Sequence, residues 1–432
     1  MTLLLRGGTV VGPTATHIAD VLIRDGRIAA VGQNLDATGA EIIDASGCWV
    51  GPALVDIHTH LREPGREEAE TIESGANAGV LGGYGALVAM PNTEPALDNV
   101  ALVSYALAQG AKTRLDVAVA GAITVGRQGE SLAPIAEMAA LGVRLFTDDG
   151  TGVQNPAVMR RALQYAAPLG VRLAQHCEDE ALAAGGVMNE GAVSARLGLV
   201  GRPALAEELM VMRDIELLRT TGGRLHFLHL STARSLALVQ AAKAQGLDVT
   251  SEIAPHHFIL SEESCEGFDA HFKVHPPLRT PSDVLALRAA LLDGGVDAVA
   301  TDHAPHAPEL KDLPFDEAPA GMLGLEHAAA LTLEVLSDDP VAFFQVLSRG
   351  PARIAQLRAI DNAPDGSAHG GDVVAGEVAN LVVLDPHERW HVDKNALASR
   401  ATNTPYHGRE LHGKVRATIV RGRLVMNEGE LQ

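Results

Sequence analysis

A chain of 432 residues with 47% hydrophobic side chains can build one large core and a smaller module beside it. Its formal charge of −20 argues against nucleic acid or a membrane surface as partner, so an anionic substrate would need locally supplied positive charge, from a metal ion or one arginine. Cys48, Cys177 and Cys265 are too scattered for a disulfide framework, and no apolar run nears the roughly 20 residues of a membrane helix. The first residues lack the basic and long apolar regions of a signal peptide, and a cytoplasmic protein is expected.

Residues 1–52 read as short strands at 2–6, 19–24, 27–31 and 41–44, with Asp25-Gly26 as a hairpin turn. The C-terminal end has the same character, at 380–384, 415–421 and 423–426. Neither end closes a core alone, so residues 1–52 and 361–432 are expected to join in one small β-sandwich. The segment 361–371, rich in Gly, Pro, Ser and Asp, is the expected linker.

Residues 53–360 alternate between strand and helix signals. Strand candidates lie at 54–60, 86–91, 116–123, 143–149, 171–177, 225–230, 249–254 and 298–302. Helical periodicity fills 70–78, 156–167, 233–244 and 282–292, with Gly170, Gly246 and Gly295 where helices end. Eight such units predict an α/β fold, a (β/α)₈ barrel of the TIM type. A doubly wound sheet is the alternative, but no G-x-G-x-x-G follows an early strand.

In such a barrel, chemistry gathers at the C-terminal strand ends. Strand one ends in His58 and His60, which share a face of an extended chain. The fourth ends in Asp148-Asp149, the fifth in His176, the sixth in His229 and the eighth in Asp302. Singly, these histidines read as satisfied core residues, Asp149 as part of a turn and Asp302 as a cap. Together they fit a two-metal hydrolytic site, with ions about 3.5–4 Å apart sharing a hydroxide. Dominance of imidazole favours zinc over magnesium, with manganese or cobalt able to substitute. Arg62 carries a fork of donors suited to a carboxylate. His226 faces the other side of its strand from His229, and His256 and His257 read as structural.

Several fragments carry a family resemblance: His58-Thr59-His60-Leu61-Arg62-Glu63-Pro64-Gly65, Met90-Pro91-Asn92-Thr93, Thr147-Asp148-Asp149-Gly150 and His176-Cys177-Glu178. With Pro276-Pro277-Leu278-Arg279 and Ala300-Thr301-Asp302-His303-Ala304-Pro305-His306, they resemble the bacterial class I dihydroorotases of the amidohydrolase superfamily. The likeness runs nearly end to end, through Asn380-Leu381-Val382-Val383-Leu384-Asp385. It implies reversible ring closure of N-carbamoyl-L-aspartate to L-dihydroorotate, in pyrimidine synthesis. It implies one zinc on His58, His60 and Asp302 and a second on His176 and His229, two per subunit with a single ion as the alternative. No lysine follows strand four, and the resemblance is to the bacterial subgroup in which the second Asp of Thr-Asp-Asp-Gly bridges, which implies Asp149 rather than Asp148.

By the same resemblance Asp302 is the catalytic acid–base, and Arg62, Asn92 and His306 hold the substrate carboxylate and ring. His60, His275, Ala320 and Gly321 complete the expected substrate contacts. A homodimer and an association with aspartate carbamoyltransferase are the implied partners. Relatives usually have Asn where this chain has His275, and often Phe where it has Ala320. Neutral His offers one donor and one acceptor, against two donors and an acceptor for Asn. The stretch 303–324 reads equally as a lid or as an inert surface loop. Two other functions compete. One is a different cyclic amidase, a hydantoinase or allantoinase, whose substrates lack the carboxylate Arg62 would bind. The other is a catalytically silent scaffold for aspartate carbamoyltransferase, against which the intact set of six candidate ligands stands.

Overall fold

The computed structural model describes residues 2–357 and 368–432, so most of the expected linker, and the boundary at 360/361, lie outside the described residues. The N-terminal strands are β1 (Thr2–Val11), β2 (Thr16–Arg24), β3 (Arg27–Gly32), β4 (Glu41–Asp44) and β5 (Trp49–Pro52). The barrel strands begin with β6 (Leu54–Thr59), β7 (Tyr84–Ala89), β8 (Asp116–Val119), β9 (Leu145–Thr147) and β10 (Arg172–Gln175). After the two-residue strands β11 (Met188–Asn189) and β12 (Gly201–Arg202), it continues with β13 (Leu225–Phe227), β14 (Val249–Ile253) and β15 (Ala298–Val299). The C-terminal strands are β16 (Leu381–His391), β17 (Glu410–Val420), β18 (Arg423–Asn427) and β19 (Glu430–Leu431).

Strands from both ends form one nine-stranded sheet in the order β19-β18-β17-β16-β5-β1-β2-β3, with β4 also on β1. The seam is β5, which lies parallel to β1 and antiparallel to β16, with Val50 opposite Val383. Periodicity does not announce this strand, because its four residues are all buried and include Gly51 and Pro52. Alternation then sorts the side chains. Leu3, Val50, Leu381, Val383 and Ile419 fill the core of the terminal module, while Trp49, Val382, Leu384 and Val420 turn to the barrel.

The barrel strands pair in parallel as β6-β7-β8 and β9-β10-β13-β14-β15. Single parallel bridges, Gly121 to Phe146 and Thr59 to His303, close the ring. The interior packs Val55, Ile57, Ala86, Val88, Leu145, Ala174, Leu228 and Ala298. The alternate residues Leu87, Phe146, Leu173 and Phe227 pack outward with helical residues such as Val103, Leu163 and Val239. Strands β8 and β9 are shorter than the periodicity predicts, because their last residues leave the ladder and become the loops at the barrel mouth.

The expected helices form at Ile72–Leu81, Pro156–Ala166, Ala233–Ala244 and Pro281–Leu292, each opened by a Thr or Asn whose side chain accepts from a first-turn backbone N–H. Gly170 and Gly246 take left-handed conformations at helix ends, as expected. After Leu292 it is Gly294 that does so, not Gly295. Gly295 serves close packing instead, since a Cβ there would stand 2.3 Å from Gln240 Nε2. Among the described residues no helix is long and apolar enough to cross a membrane.

The seam supplies a stability test. A Cβ on Gly51 would come within 2.4–2.6 Å of three Phe344 ring carbons. Gly51→Ala is expected to cost about 1–3 kcal/mol through overpacking, read as a lowered midpoint in chemical denaturation.

Candidate metal and substrate site

The barrel mouth is assembled from strand ends whose backbone is itself constrained. Arg62, His229 and Asp302 all have positive φ (59°, 29° and 48°), a region that costs non-glycine residues of order 1–3 kcal/mol. Hydrogen bonds hold them there. The buried Asp56 carboxylate accepts from the backbone N–H of His58 at 3.0 Å and from Thr301 N–H and hydroxyl, tying β6 to the residue before Asp302. His60 donates its backbone N–H to His303, and Leu230 donates to Glu252.

The six residues expected to bind metal converge. His58 Nε2 lies 3.4 Å from Asp149 Oδ1 and 3.6 Å from Asp302 Oδ1, and His60 Nε2 lies 3.0 Å from Asp302 Oδ1. His176 Nδ1 and His229 Nε2 each lie 3.6 Å from Asp149 Oδ1 and 2.9 Å from each other. The other Asp149 oxygen is 3.6 Å from His60 Nε2. Ligands at 2.0–2.2 Å around a tetrahedral ion stand roughly 3.3–3.6 Å apart, and the contacts of Asp149 with the four imidazoles, at 3.4–3.6 Å, match that spacing. His58 Nε2 and Asp149 Oδ1 are buried without a hydrogen-bond partner, as atoms reserved for a cation would be. Two donor groups meet the geometry of a metal site, His58/His60/Asp302 and His58/Asp149/His229. Asp148 turns away and accepts from the backbone of Ile123 and Thr124 and from the Thr124 hydroxyl, so it builds the loop and leaves the mouth to Asp149.

Residues that sequence reasoning missed set the direction of these donors. Glu252 Oε1 stands 2.6 Å from His58 Nδ1, and its other oxygen 2.9 Å from His226 Nε2. With Nδ1–H given to Glu252, His58 presents Nε2 as a bare lone pair. Asn92 Oδ1 does the same for His60, 2.9 Å from Nδ1, and Glu178 faces His176 Nε2 at 3.5 Å. Asn92 therefore orients a candidate ligand as well as lining the cavity. Two signals were available: Asp56 and Glu252 are charged residues inside otherwise strand-like runs, and a buried carboxylate needs a partner.

The electrostatics agree. Burial opposes charge on both sides, but the Asp149 and Glu252 carboxylates outweigh it and raise His58 well above the usual imidazole range. Against the same penalty, bonds to Asp149 and Glu178 lift His176 to about 9, and His58 and His226 hold Glu252 down at about 2. Such a cluster draws positive charge, which protons or a divalent ion can supply.

Beside the cluster lies a cavity of about 220 Å³. Each residue expected to touch substrate lines it: His60, Arg62, Asn92, His275, His306, Ala320 and Gly321. Arg62 is buried and spends Nε on the Pro305 carbonyl at 3.0 Å, which fixes the plane of its guanidinium. Burial, then Arg66, brings its pKa down to about 10, so it stays charged at neutral pH. His275 is pushed down to about 3 by burial and Arg202, hence neutral, and its Nε2 has no partner. His306 Nε2 donates to the Ala320 carbonyl at 2.8 Å. Gly321 gives its own N–H to the Lys273 carbonyl, so of the two expected backbone contacts its amide is already committed. From the stretch 303–324, Ala304, His306, Ala320 and Gly321 line this cavity, and Lys311 Nζ donates to the carbonyls of Pro319 and Gly321.

A buried ring of imidazoles and carboxylates in the mouth of a parallel eight-stranded barrel is the architecture of the metal-dependent amidohydrolases. Solved structures with the same fold include an L-hydantoinase from Arthrobacter aurescens (TM-score 0.86, 24% identity, covering 100% of this chain and 97% of that one). A D-hydantoinase from Thermus sp. superposes with a TM-score of 0.82 at 26% identity, covering 100% and 96%. Sequence similarity narrows the class. A family profile described as Dihydro-orotase-like matches residues 47–235. Dihydroorotases of Pelotomaculum thermopropionicum (47% identity, 99% of each chain) and Streptomyces coelicolor (45%, 99% of each) match almost throughout, as does that of Mycobacterium leprae (45%, 98% of each). The chain belongs to the dihydroorotase family, enzymes that hydrolyse a cyclic amide.

The bond from His58 Nδ1–H to Glu252 generates a metal-retention test. Glu252→Gln is expected to remain folded and to lose metal about 10–100-fold more readily, measured as metal content after dialysis against graded chelator.

Proposed function

We propose that this chain interconverts N-carbamoyl-L-aspartate and L-dihydroorotate in the cytoplasm, with two zinc ions in the barrel mouth. In this reading His58, His60 and Asp302 would hold one zinc and His176 and His229 the other, with Asp149 within reach of both groups. The observation that carries the reading is a single cavity containing a fixed guanidinium, Arg62, together with the carboxylates Asp149 and Asp302. Support for a shared ligand comes from Asp149, whose Oδ1 lies within 3.4–3.6 Å of His58, His176 and His229 while Oδ2 faces His60. The family resemblance extends the proposal to a homodimer and to association with aspartate carbamoyltransferase.

Zinc bound in the mouth would bring the pKa of water close to neutrality and polarise the ring carbonyl. In hydrolysis Asp302 accepts the proton of the attacking water and delivers it to the leaving ring nitrogen. In ring closure it takes that proton back from the attacking ureido nitrogen and passes it to the carboxyl oxygen being expelled, which leaves as water with a second proton from solvent. Burial raises the Asp302 pKa, but the His60 bond and the charges of His58 and His229 outweigh it and hold the group ionised, ready to accept. Such transfer is worth about 10²–10⁴-fold. Arg62 pairs its terminal amino groups with the substrate carboxylate, and His275 offers a ring-facing donor or acceptor. These contacts fix the ring against Asp302 and convert binding energy into orientation.

Metal analysis and a substrate panel test the proposal together. Purified protein should carry zinc at two per chain and turn over dihydroorotate in preference to hydantoin and allantoin. Arg62→Met should raise KM for dihydroorotate at least about tenfold with metal content unchanged, as expected for loss of a charged pair. Preference for hydantoin or allantoin would remove the substrate assignment. A folded, metal-free, inactive protein that still captured aspartate carbamoyltransferase would replace it with the scaffold.

A further inference from the structure

We propose that Asn403, in the connection between β16 and β17, is a positioning residue that fixes the substrate-side wall of the cavity and thereby sets substrate affinity. The proposal rests on the reading that His306, Ala320 and Gly321 face substrate.

Antiparallel neighbours such as β16 and β17 can be joined by a two-residue turn. Here the connection 392–409 instead reaches back to the barrel mouth. Along the way Ala398 donates its N–H to Glu326 at 2.9 Å, and Arg400 donates to the buried Glu70 carboxylate at 3.1 Å. Long connections without secondary structure of their own are uncommon in compact domains and usually carry function. At the far point of this one stands Asn403, only 1% exposed.

Its amide is used on both edges. Oδ1 accepts the His306 N–H at 3.1 Å, and Nδ2 donates to the carbonyls of Ala304 (2.9 Å) and Gly321 (3.2 Å). One buried side chain thus clasps residues 304–306 to residue 321 from behind the cavity they line. The His306 ring, anchored through its own backbone, reaches the Ala320 carbonyl. The Gly321 carbonyl takes a second donor, Lys311 Nζ at 2.9 Å. Tight packing makes the clasp consequential, because an ideal Cβ on Gly321 would lie 2.7 Å from Ala304 Cβ and 2.8 Å from His306 Nε2. The main-chain bond from Leu323 N–H to the Asn403 carbonyl is independent of the side chain, so a substitution can break the clasp and keep the segment docked.

Asn403→Asp retains size and the acceptor for His306 but turns an oxygen toward two carbonyl oxygens. It is expected to raise KM for dihydroorotate about tenfold or more, while kcat changes less than about threefold and metal content is unchanged, in line with the cost of displacing a positioning group. Lys311→Met, which removes the other donor to Gly321, should shift KM in the same direction and keeps the test open if the acid variant fails to fold. An unchanged KM in the folded variants, with or without a lower melting temperature, overturns the proposal. A fall in kcat together with metal loss also overturns it, since the clasp would then support the metal ligands. Arg62→Met measured in parallel separates the two levels. If it raises KM where Asn403→Asp does not, only the positioning role fails; if neither moves KM, the substrate-site reading falls as well.

Discussion

A carboxylate removed from water must find positive charge or fixed hydrogen-bond donors, or it will not stay ionised. Asp149, 2% exposed in the barrel mouth, is the point on which this structure turns. Four imidazoles, from β6 and from the ends of β10 and β13, stand within 3.4–3.6 Å of its two oxygens. That arrangement holds only while the strands keep their stagger, and the barrel is closed next to it by single bridges, Thr59 to His303 and Gly121 to Phe146. Fold and site are therefore coupled: the cluster needs the closed ring, and the ring carries buried charge at that cluster.

Around the cluster, polar groups are paid out in layers, each fixing the one inside it. Glu252 and Asn92 choose which nitrogen His58 and His60 present. Asp56 ties β6 to Thr301, next to Asp302. Farther out, Glu70 joins His303 to Ser399 and Arg400, bringing the C-terminal module into the same network. The terminal sheet thus does more than shelter a second core, for the connection between β16 and β17 reaches the wall of the cavity beside the cluster.

The likeness to hydantoinase structures and the membership of the dihydroorotase family fit one physical picture. A shared barrel supplies the metal-binding mouth, and a few side chains over the cavity decide which cyclic amide fits. In this chain Arg62 gives that cavity a cation fixed by the Pro305 carbonyl. His275 and Ala320 line the same cavity and lie outside the metal-competent donor groups.

Much of this was readable from one-dimensional pattern. Eight apolar runs separated by helical periodicity specify the barrel, and a polar residue at the end of each of five runs marks the mouth, because strand and helix periods are local properties. The pairing of β5 with β16 was not readable in detail, since a fully buried four-residue strand has no alternation to betray it. Nor were the roles of Glu252, Asp56 and Asn403. A hydrogen bond such as that from the His306 N–H to Asn403 Oδ1 joins residues 97 positions apart and leaves no trace in local sequence. Residue type and spacing determined which groups could do chemistry; only the closed barrel, with the C-terminal segment laid across its mouth, decided which nitrogen, which oxygen and which amide face one another.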